Sequence, residues 1–171
     1  MSAPFRRPAP LTERHHVDDF DSGRPELDDY LKTLALHNQQ QGYSRTFVIC
    51  DADNRVVAYH ALCAGMISRE NTPRQVAGHG APREIPVALL ARLAVDRRYQ
   101  GQGLGGALFK NACLAVISSS QLVAFRAVMV HALDDEAEAF YLRYGFRRAK
   151  GLERTLLLPT KDIAVSLQAT E

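Results

Sequence analysis

The chain has 171 residues, of which 46% are hydrophobic and 23% charged, and a formal net charge of +2. That composition fits one globular domain with a sizeable core and excludes a disordered chain. No apolar run approaches the roughly 20 residues of a membrane span, and the opening Met-Ser-Ala-Pro-Phe-Arg-Arg-Pro lacks the apolar core of a signal peptide. The three cysteines, Cys50, Cys63 and Cys113, are odd in number, sit in apolar contexts and lack metal-ligand spacing. They read as buried thiols of a reducing cytoplasm. The six histidines form no ligand pattern, so no metal is expected.

Residues 1–8, rich in proline, read as a loose arm, and residues 11–20 as a short opening strand. Asp21 or Ser22 can cap a helix whose first position suits Pro25 and whose first turn carries Glu26. Leu27, Tyr30, Leu31, Leu34 and Ala35 then repeat at helical spacing, up to the polar run 37–42. Residues 46–50 and 56–66 flank the turn chemistry of Asp51-Ala52-Asp53-Asn54 and predict a hairpin. Residues 68–86 have prolines, glycines and no period, and predict a long loop or a loop with a short helix. A strand over 85–95, a helix over 104–117, a strand over 122–133 and a helix from Asp134-Asp135 to Gly145 follow. The last strand covers 154–158, and residues 160–171 read as a loose end. There is no repeat and no second domain: residues 1–171 are expected to form one.

Between the pivotal strand and helix lie Gly101, Gly103, Gly105 and Gly106. Strand, glycine-rich turn and helix make an anion site: glycines let the backbone approach a ligand, and amides and helix dipole converge on it. Three readings compete. The stretch could be a tight turn without a ligand. Gly101-x-Gly103-x-x-Gly106 satisfies the dinucleotide pattern, but residues 122–133 lack the acid that such a fold needs about 20 positions on. The third reading is Arg98-x-x-Gly101-x-Gly103 as a loop for an acyl-CoA pyrophosphate.

The third reading is a resemblance. Leu93-Ala94-Val95-x-x-Arg98-x-x-Gly101-x-Gly103 resembles the acyl-CoA motif of the GNAT N-acetyltransferases. Ala139-Phe140-Tyr141-Leu142-Arg143-Tyr144-Gly145-Phe146 resembles the family's closing motif. Phe20-x-Ser22-Gly23-x-x-x-Leu27-Asp28-x-Tyr30-Leu31 and Leu90-Ala91-Arg92-Leu93-Ala94-Val95-Asp96 narrow the likeness to the GNAT toxins of bacterial toxin–antitoxin pairs. The likeness implies an α/β fold with a mixed, mostly antiparallel sheet, helices on both faces and a splayed central strand at the acyl-CoA site. It implies acetyl-CoA as co-substrate and aminoacyl-tRNA as acceptor, with translation blocked. It also implies a ribbon-helix-helix antitoxin, a homodimer, a cytoplasmic location and no membrane.

By the same likeness Leu93 and Val95 pair with the pantetheine arm, and an amide near Leu93–Ala94 faces the oxyanion. The amides of Gln100, Gly101, Gln102, Gly103, Leu104, Gly105 and Gly106 hold the pyrophosphate. Arg98 contacts phosphate or makes an ion pair at the helix approach. Tyr141 is the general acid and Tyr144 a packing residue. Arg92 interrupts an apolar strand, so it faces a cleft or has a partner; it is a candidate for the acceptor RNA. Residues 69–98 carry six arginines against three acids. Arg74, Arg83, Arg147 and Arg148, with Arg69 and Lys150, are the wider RNA candidates. The competing expectations are a GNAT enzyme for a small amine or a protein N-terminus, and a catalytically dead GNAT scaffold.

Overall fold

The computed structural model describes residues 5–168. Among them, strands β1 (Ala9–Pro10), β2 (Arg45–Cys50), β3 (Val56–Ser68), β4 (Glu84–Val95), β5 (Ala127–His131), β6 (Arg147–Arg148) and β7 (Thr155–Pro159) follow the order β1-β2-β3-β4-β5-β7-β6. The helices are α1 (Pro25–Thr33), α2 (Ala35–Gln41), α3 (Arg74–Ala77), α4 (Leu104–Ser119), α5 (Asp135–Arg143) and α6 (Ile163–Gln168). The β1–β2, β2–β3, β5–β7 and β6–β7 pairs are antiparallel, and β4–β5 is parallel. The mixed, mostly antiparallel sheet inferred from the motifs is the one observed.

The chain divides into two compact units: the chain up to Cys63 with Ala91–Ala112, and Ala64–Leu90 with the chain from Cys113 on. In the first, Leu27, Tyr30, Leu31 and Ala35 of α1 and α2 pack with Val48, Tyr59 and Ala61 of β2 and β3. Ile49, Val57 and Ala58 pack instead with Leu104 and Leu108 of α4. Strand alternation sends successive side chains to opposite layers, so both strands are buried twice. In the second unit, Ile67, Ile85, Val87, Ala127, Met129 and Leu157 form a core with Val76 of α3.

Four expectations are corrected. The first helix is two: Leu34, half exposed at 48%, leaves helical geometry at φ −121°. Thr33 just before it bonds its hydroxyl to the Asp29 carbonyl at 2.6 Å, a contact that bends helices. Neither Asp21 nor Ser22 caps α1; the residue before Pro25 is Arg24, with no side-chain cap. Asp28 reaches back and accepts from the Ser22 amide (2.9 Å) and hydroxyl (2.7 Å). Of residues 11–20 only the His16 bridge to Arg55 pairs, and the opening strand is Ala9–Pro10. The strand expected over 122–133 is confined to Ala127–His131, since 120–123 complete a turn closed by bonds to Ser119.

The chain ends are also more ordered than expected. Arg6 donates its amide to the Cys50 carbonyl at 2.8 Å, and Phe5 stands edge-on to Tyr99 at 5.3 Å. Residues 160–168 form a 3-10 turn and α6, held by fully buried Ile163 and by the Ser166 hydroxyl donating to the Tyr144 carbonyl. The expectation for residues 1–4 and 169–171 lies outside the described residues. Cys50 and Cys113 are buried, whereas Cys63 is half-buried.

His60 on β3 has no solvent exposure. It stacks on Phe47 at 5.1 Å, and its Nε2 lies 2.7 Å from Asn111 Oδ1 on α4. An amide oxygen only accepts, so Nε2 carries the proton and Nδ1 is left without a partner. Burial lowers the His60 pKa to about 4. The unfolded imidazole protonates near about 6.5, so between those values the unfolded state binds more protons. Stability is therefore level above that range and falls as pH drops through it, by on the order of 3 kcal/mol. His60→Phe should flatten this part of the decline in urea titrations run across the same pH range.

Candidate active site

The parallel ladder between β4 and β5 runs from Val87↔Ala127 to Leu90↔Val130 and stops there. From Ala91 to Val95 the strand has no β5 partner, so Leu93, Ala94 and Val95 present a backbone edge suited to another extended chain. The next residue, Asp96, is fully buried. Its carboxylate accepts from the Asp21 amide (3.1 Å), the Arg98 amide (2.9 Å), Arg98 Nε (3.0 Å) and Arg98 Nη2 (2.9 Å). Its own amide donates to the Val57 carbonyl at 2.8 Å. Burial pushes its pKa up, but the Arg98 side chain and the two amides bring it below the usual carboxylate range.

A 3-10 turn at Arg97–Tyr99 leads to Gln100, whose side-chain amide donates to the Val95 carbonyl at 2.9 Å and the Ser22 carbonyl at 3.2 Å. Gly101 (φ +80°) and Gly103 (φ +84°) occupy the left-handed region, and nothing lies within 4 Å of a Cβ placed on either. Glycine is needed there for backbone conformation, and the space around it is open to a ligand. The Ala107 amide bonds the Gly103 carbonyl at 3.1 Å, so α4 begins with the amides of Gly103, Leu104, Gly105 and Gly106 lacking intrahelical acceptors. No acid occupies this first turn. Unshielded amides at a helix N-terminus of 16 residues fit a pyrophosphate, and the free edge of β4 fits an amide-bearing arm.

Two candidate arginines in this unit have intramolecular partners. Arg98 commits its guanidinium to Asp96 and to the Asp19 carbonyl (3.3 Å), so its side chain anchors the loop. Arg92 lies over the Tyr30 ring at 3.6 Å, and the Tyr30 hydroxyl bonds Ser44 at 2.8 Å. Sequence reasoning allowed Arg92 a partner without naming Tyr30. It missed Asp96 as the anchor, although an acid between an apolar strand and two arginines was the available signal.

In the other unit, Tyr141 sits on α5, whose N-terminus is capped by Asp134 accepting from the Ala137 amide at 2.8 Å. Tyr141 is buried, with ring centres 5.1 Å from Phe140 and 5.2 Å from Phe146. Phe140 in turn meets Tyr144 at 5.1 Å, and Gly145 (φ +92°) ends the helix. Burial, aided by nearby Cys113, pushes the Tyr141 pKa well above that of an ordinary phenol. The residue therefore keeps its proton at neutral pH.

The same unit sorts the basic candidates. Arg69, Arg74 and Lys150, joined by His79, line a cavity of about 340 Å³ with no acid in its wall. Asn71 holds it together, accepting from the Lys150 amide and donating to the Lys150 carbonyl, both at 2.7 Å. Arg83 lines a neighbouring hollow with Arg69, Glu70 and Glu84. Arg148 is ion-paired with Glu138 at 2.7 Å while its side chain stays exposed, and Arg147 is exposed on β6. A larger cavity of about 570 Å³ contains Arg148 and Arg154, both ion-paired.

The family model described as an acetyltransferase (GNAT) domain matches residues 43–148. The chain belongs to the GNAT acetyltransferase family. A tRNA-acetylating toxin of Mycobacterium tuberculosis is 41% identical over 158 residues, covering 92% of this chain and 94% of that protein. Among solved structures, AtaT complexed with acetyl-methionyl-tRNAfMet matches with a TM-score of 0.87 at 29% identity, over 94% of this chain and 98% of that one. A tyrosine-to-phenylalanine mutant of AtaT bound to the C-terminus of the antitoxin AtaR and acetyl-CoA matches with a TM-score of 0.80 at 29% identity, over 95% and 97%. Among the described residues of this GNAT enzyme no helix is long and apolar enough to cross a membrane, and no group of three or more metal-ligating side chains converges.

Removing the Asp96 carboxylate strands two amides and the Arg98 guanidinium beside a buried site. Asp96→Ala should lower the unfolding free energy by about 3 kcal/mol in urea titration, with the slope of the transition unchanged.

Proposed function

We propose that this acetyltransferase acetylates the α-amino group of aminoacyl-tRNA and thereby blocks translation, as a toxin acting in the cytoplasm. One observation carries the choice of a nucleic-acid acceptor: Arg69, Arg74 and Lys150 share a cavity with no acid in its wall, while the neighbouring Arg148 and Arg154 are ion-paired. Arg69 also donates to the Ala81 carbonyl at 2.9 Å and borders the next hollow with Glu70 and Glu84, but the wall it shares with Arg74 and Lys150 holds cations and no acid, which favours a polyanion. The tRNA-acetylating relative, alike along 92% of this chain, supports the same acceptor. The family model runs through both compact units and supports their working as one domain. The AtaT–AtaR complex supports an antitoxin partner, which we take to be of the ribbon-helix-helix type, and we expect the toxin to be a homodimer.

Bound acetyl-CoA supplies an acetyl thioester. The free edge of Leu93 and Val95 pairs with its arm, and the amides from Gln100 to Gly106 hold its pyrophosphate. Arg98 and the Gln100 side chain act one step back, holding the loop to Asp96 and Val95. An amide near Leu93–Ala94 donates to the carbonyl oxygen as negative charge develops there. An α-amino group has a pKa of about 8, so a fair fraction is neutral at physiological pH and no strong base is required. As the neutral amine attacks and the C–S bond breaks, Tyr141, kept protonated by burial, gives its proton to the departing thiolate in a step coupled to that departure, and the proton shed by the amine returns to the phenol through solvent.

The deciding experiment incubates the protein with acetyl-CoA and charged tRNA and looks by mass spectrometry for N-acetylaminoacyl-adenosine. Its appearance is expected; acetyl-CoA binding with acetylation of small amines alone would overturn the tRNA reading. Tyr141→Phe should lower kcat about a hundredfold or more while calorimetry finds the acetyl-CoA Kd nearly unchanged. Near wild-type turnover would remove Tyr141 from the mechanism. Arg74→Ala combined with Lys150→Ala should weaken tRNA binding and flatten its salt dependence by up to about one unit of slope per lost contact.

A further inference from the structure

The cavity of about 340 Å³ that gathers Arg69, Arg74, His79 and Lys150 is pinned from several sides. Arg69 donates its amide to the Arg83 carbonyl at 2.8 Å and its Nη1 to the Ala81 carbonyl at 2.9 Å, which closes residues 69–83 into a loop. Asn71 clamps the Lys150 backbone to that loop. Arg126 donates its Nε to the Val76 carbonyl at 2.8 Å, and a Cβ on Gly78 would lie 2.5 Å from Arg126 Nη2. Gly78, at φ +74°, therefore admits no side chain, and a further guanidinium stands against that part of the wall. At Gly80, also at φ +74°, nothing lies within 4 Å of an added Cβ, so its backbone is open to a ligand.

The cations form a spot and not a track. On one side the neighbouring hollow shares Arg69 but contains Glu70 and Glu84. On the other, the cavity that takes in Ala149 and Gly151, the chain neighbours of Lys150, contains Asp135, Glu138 and Glu153. Continuous nucleic-acid backbone is followed by a positively charged groove, and acids on both flanks disfavour running it on from here. An internal phosphodiester carries one charge and has chain leaving it in two directions. A terminal phosphate monoester carries a charge of about −1.5 to −2 near neutral pH, offers three free oxygens and has chain on one side only. The cavity stands at the small end of ligand sites, which run from about 300 to 1,000 Å³, and suits such an end.

We infer that this cavity receives a terminal phosphate monoester, the 5′-phosphate of the acceptor RNA. Arg74 and Lys150 supply charge, Arg69 the N–H groups it does not spend on Ala81, and His79 a ring nitrogen. A phosphate contact carries no sequence information; it fixes where the RNA lies. In a charged tRNA the 5′ end pairs beside the strand that bears the amino acid, so holding it sets the register of the acceptor end. The inference rests on the proposed tRNA acceptor. Coenzyme A also carries a phosphate monoester, on its ribose, and the experiment separates the two sources.

Fluorescence anisotropy measures the Kd of one short RNA duplex bearing either a 5′-monophosphate or a 5′-hydroxyl. Calorimetry compares acetyl-CoA with its 3′-dephospho form. The wild type should bind the phosphorylated RNA about tenfold more tightly at low salt, with the difference shrinking as salt is added. Arg74→Gln with Lys150→Gln should remove the difference, and Arg74→Gln alone should reduce it. Equal affinity of the wild type for the two RNAs overturns the inference, as does a preference that survives in the double variant. A wild-type preference for acetyl-CoA over its dephospho form that the double variant loses assigns the cavity to the coenzyme and overturns it as well. A 5′-phosphate preference that depends on Arg74 and Lys150, found together with no acetylation of charged tRNA, would uphold the phosphate site and sink only the toxin reading.

Discussion

A carboxylate with no access to water sets the geometry of the glycine loop. Asp96 directly follows β4, and its two oxygens receive two backbone amides and two nitrogens of one guanidinium. A buried charge costs more than its pairing returns unless every lone pair is engaged, and here they are. The strand end, the 3-10 turn and the segment before α1 are thereby joined, with the Arg97 amide donating to the Asp21 carbonyl at 2.8 Å as well. The open backbone of Gly101 and Gly103 needs such a frame, since it has no side chains with which to hold itself.

The electrostatics of the molecule divide into spent and unspent charge. Arg97, Arg98, Arg148 and Arg154 are each matched to a carboxylate, and these pairs hold turns and helix ends in place. Arg92 is spent on the face of Tyr30. Arg69, which donates to the Ala81 carbonyl at 2.9 Å, lines with Arg74 and Lys150 a cavity whose wall holds no acid. The amides opening α4 are unspent in the same sense.

Tyr141 illustrates the same economy in a buried group. An aromatic cluster surrounds it and excludes water, which holds the phenol neutral. A phenol whose pKa is raised is a weak acid, so it stays neutral at physiological pH. In His60 the same exclusion of water keeps an imidazole uncharged with one nitrogen unpartnered, and the result is sensitivity to acid.

Chain order, the hairpin, the glycine loop opening α4 and the tyrosine helix were legible in the amino-acid sequence because each rests on local information. A glycine permits positive φ wherever it stands, helical spacing builds an apolar stripe by itself, and Asp134 caps the helix three residues on. The break at Leu34 and the shortening of 122–133 to five strand residues were not legible, because a bent helix and an exposed turn look locally like their neighbours. Only the tertiary structure decided which charges are used up. Arg97 meets Asp21 and His60 meets Asn111 across separations of 76 and 51 residues, and no spacing rule reaches that far. The length of β3 beyond β2 is likewise a relation between strands: the sequence determined an uncharged strand, and only pairing revealed that six of its residues have an open edge.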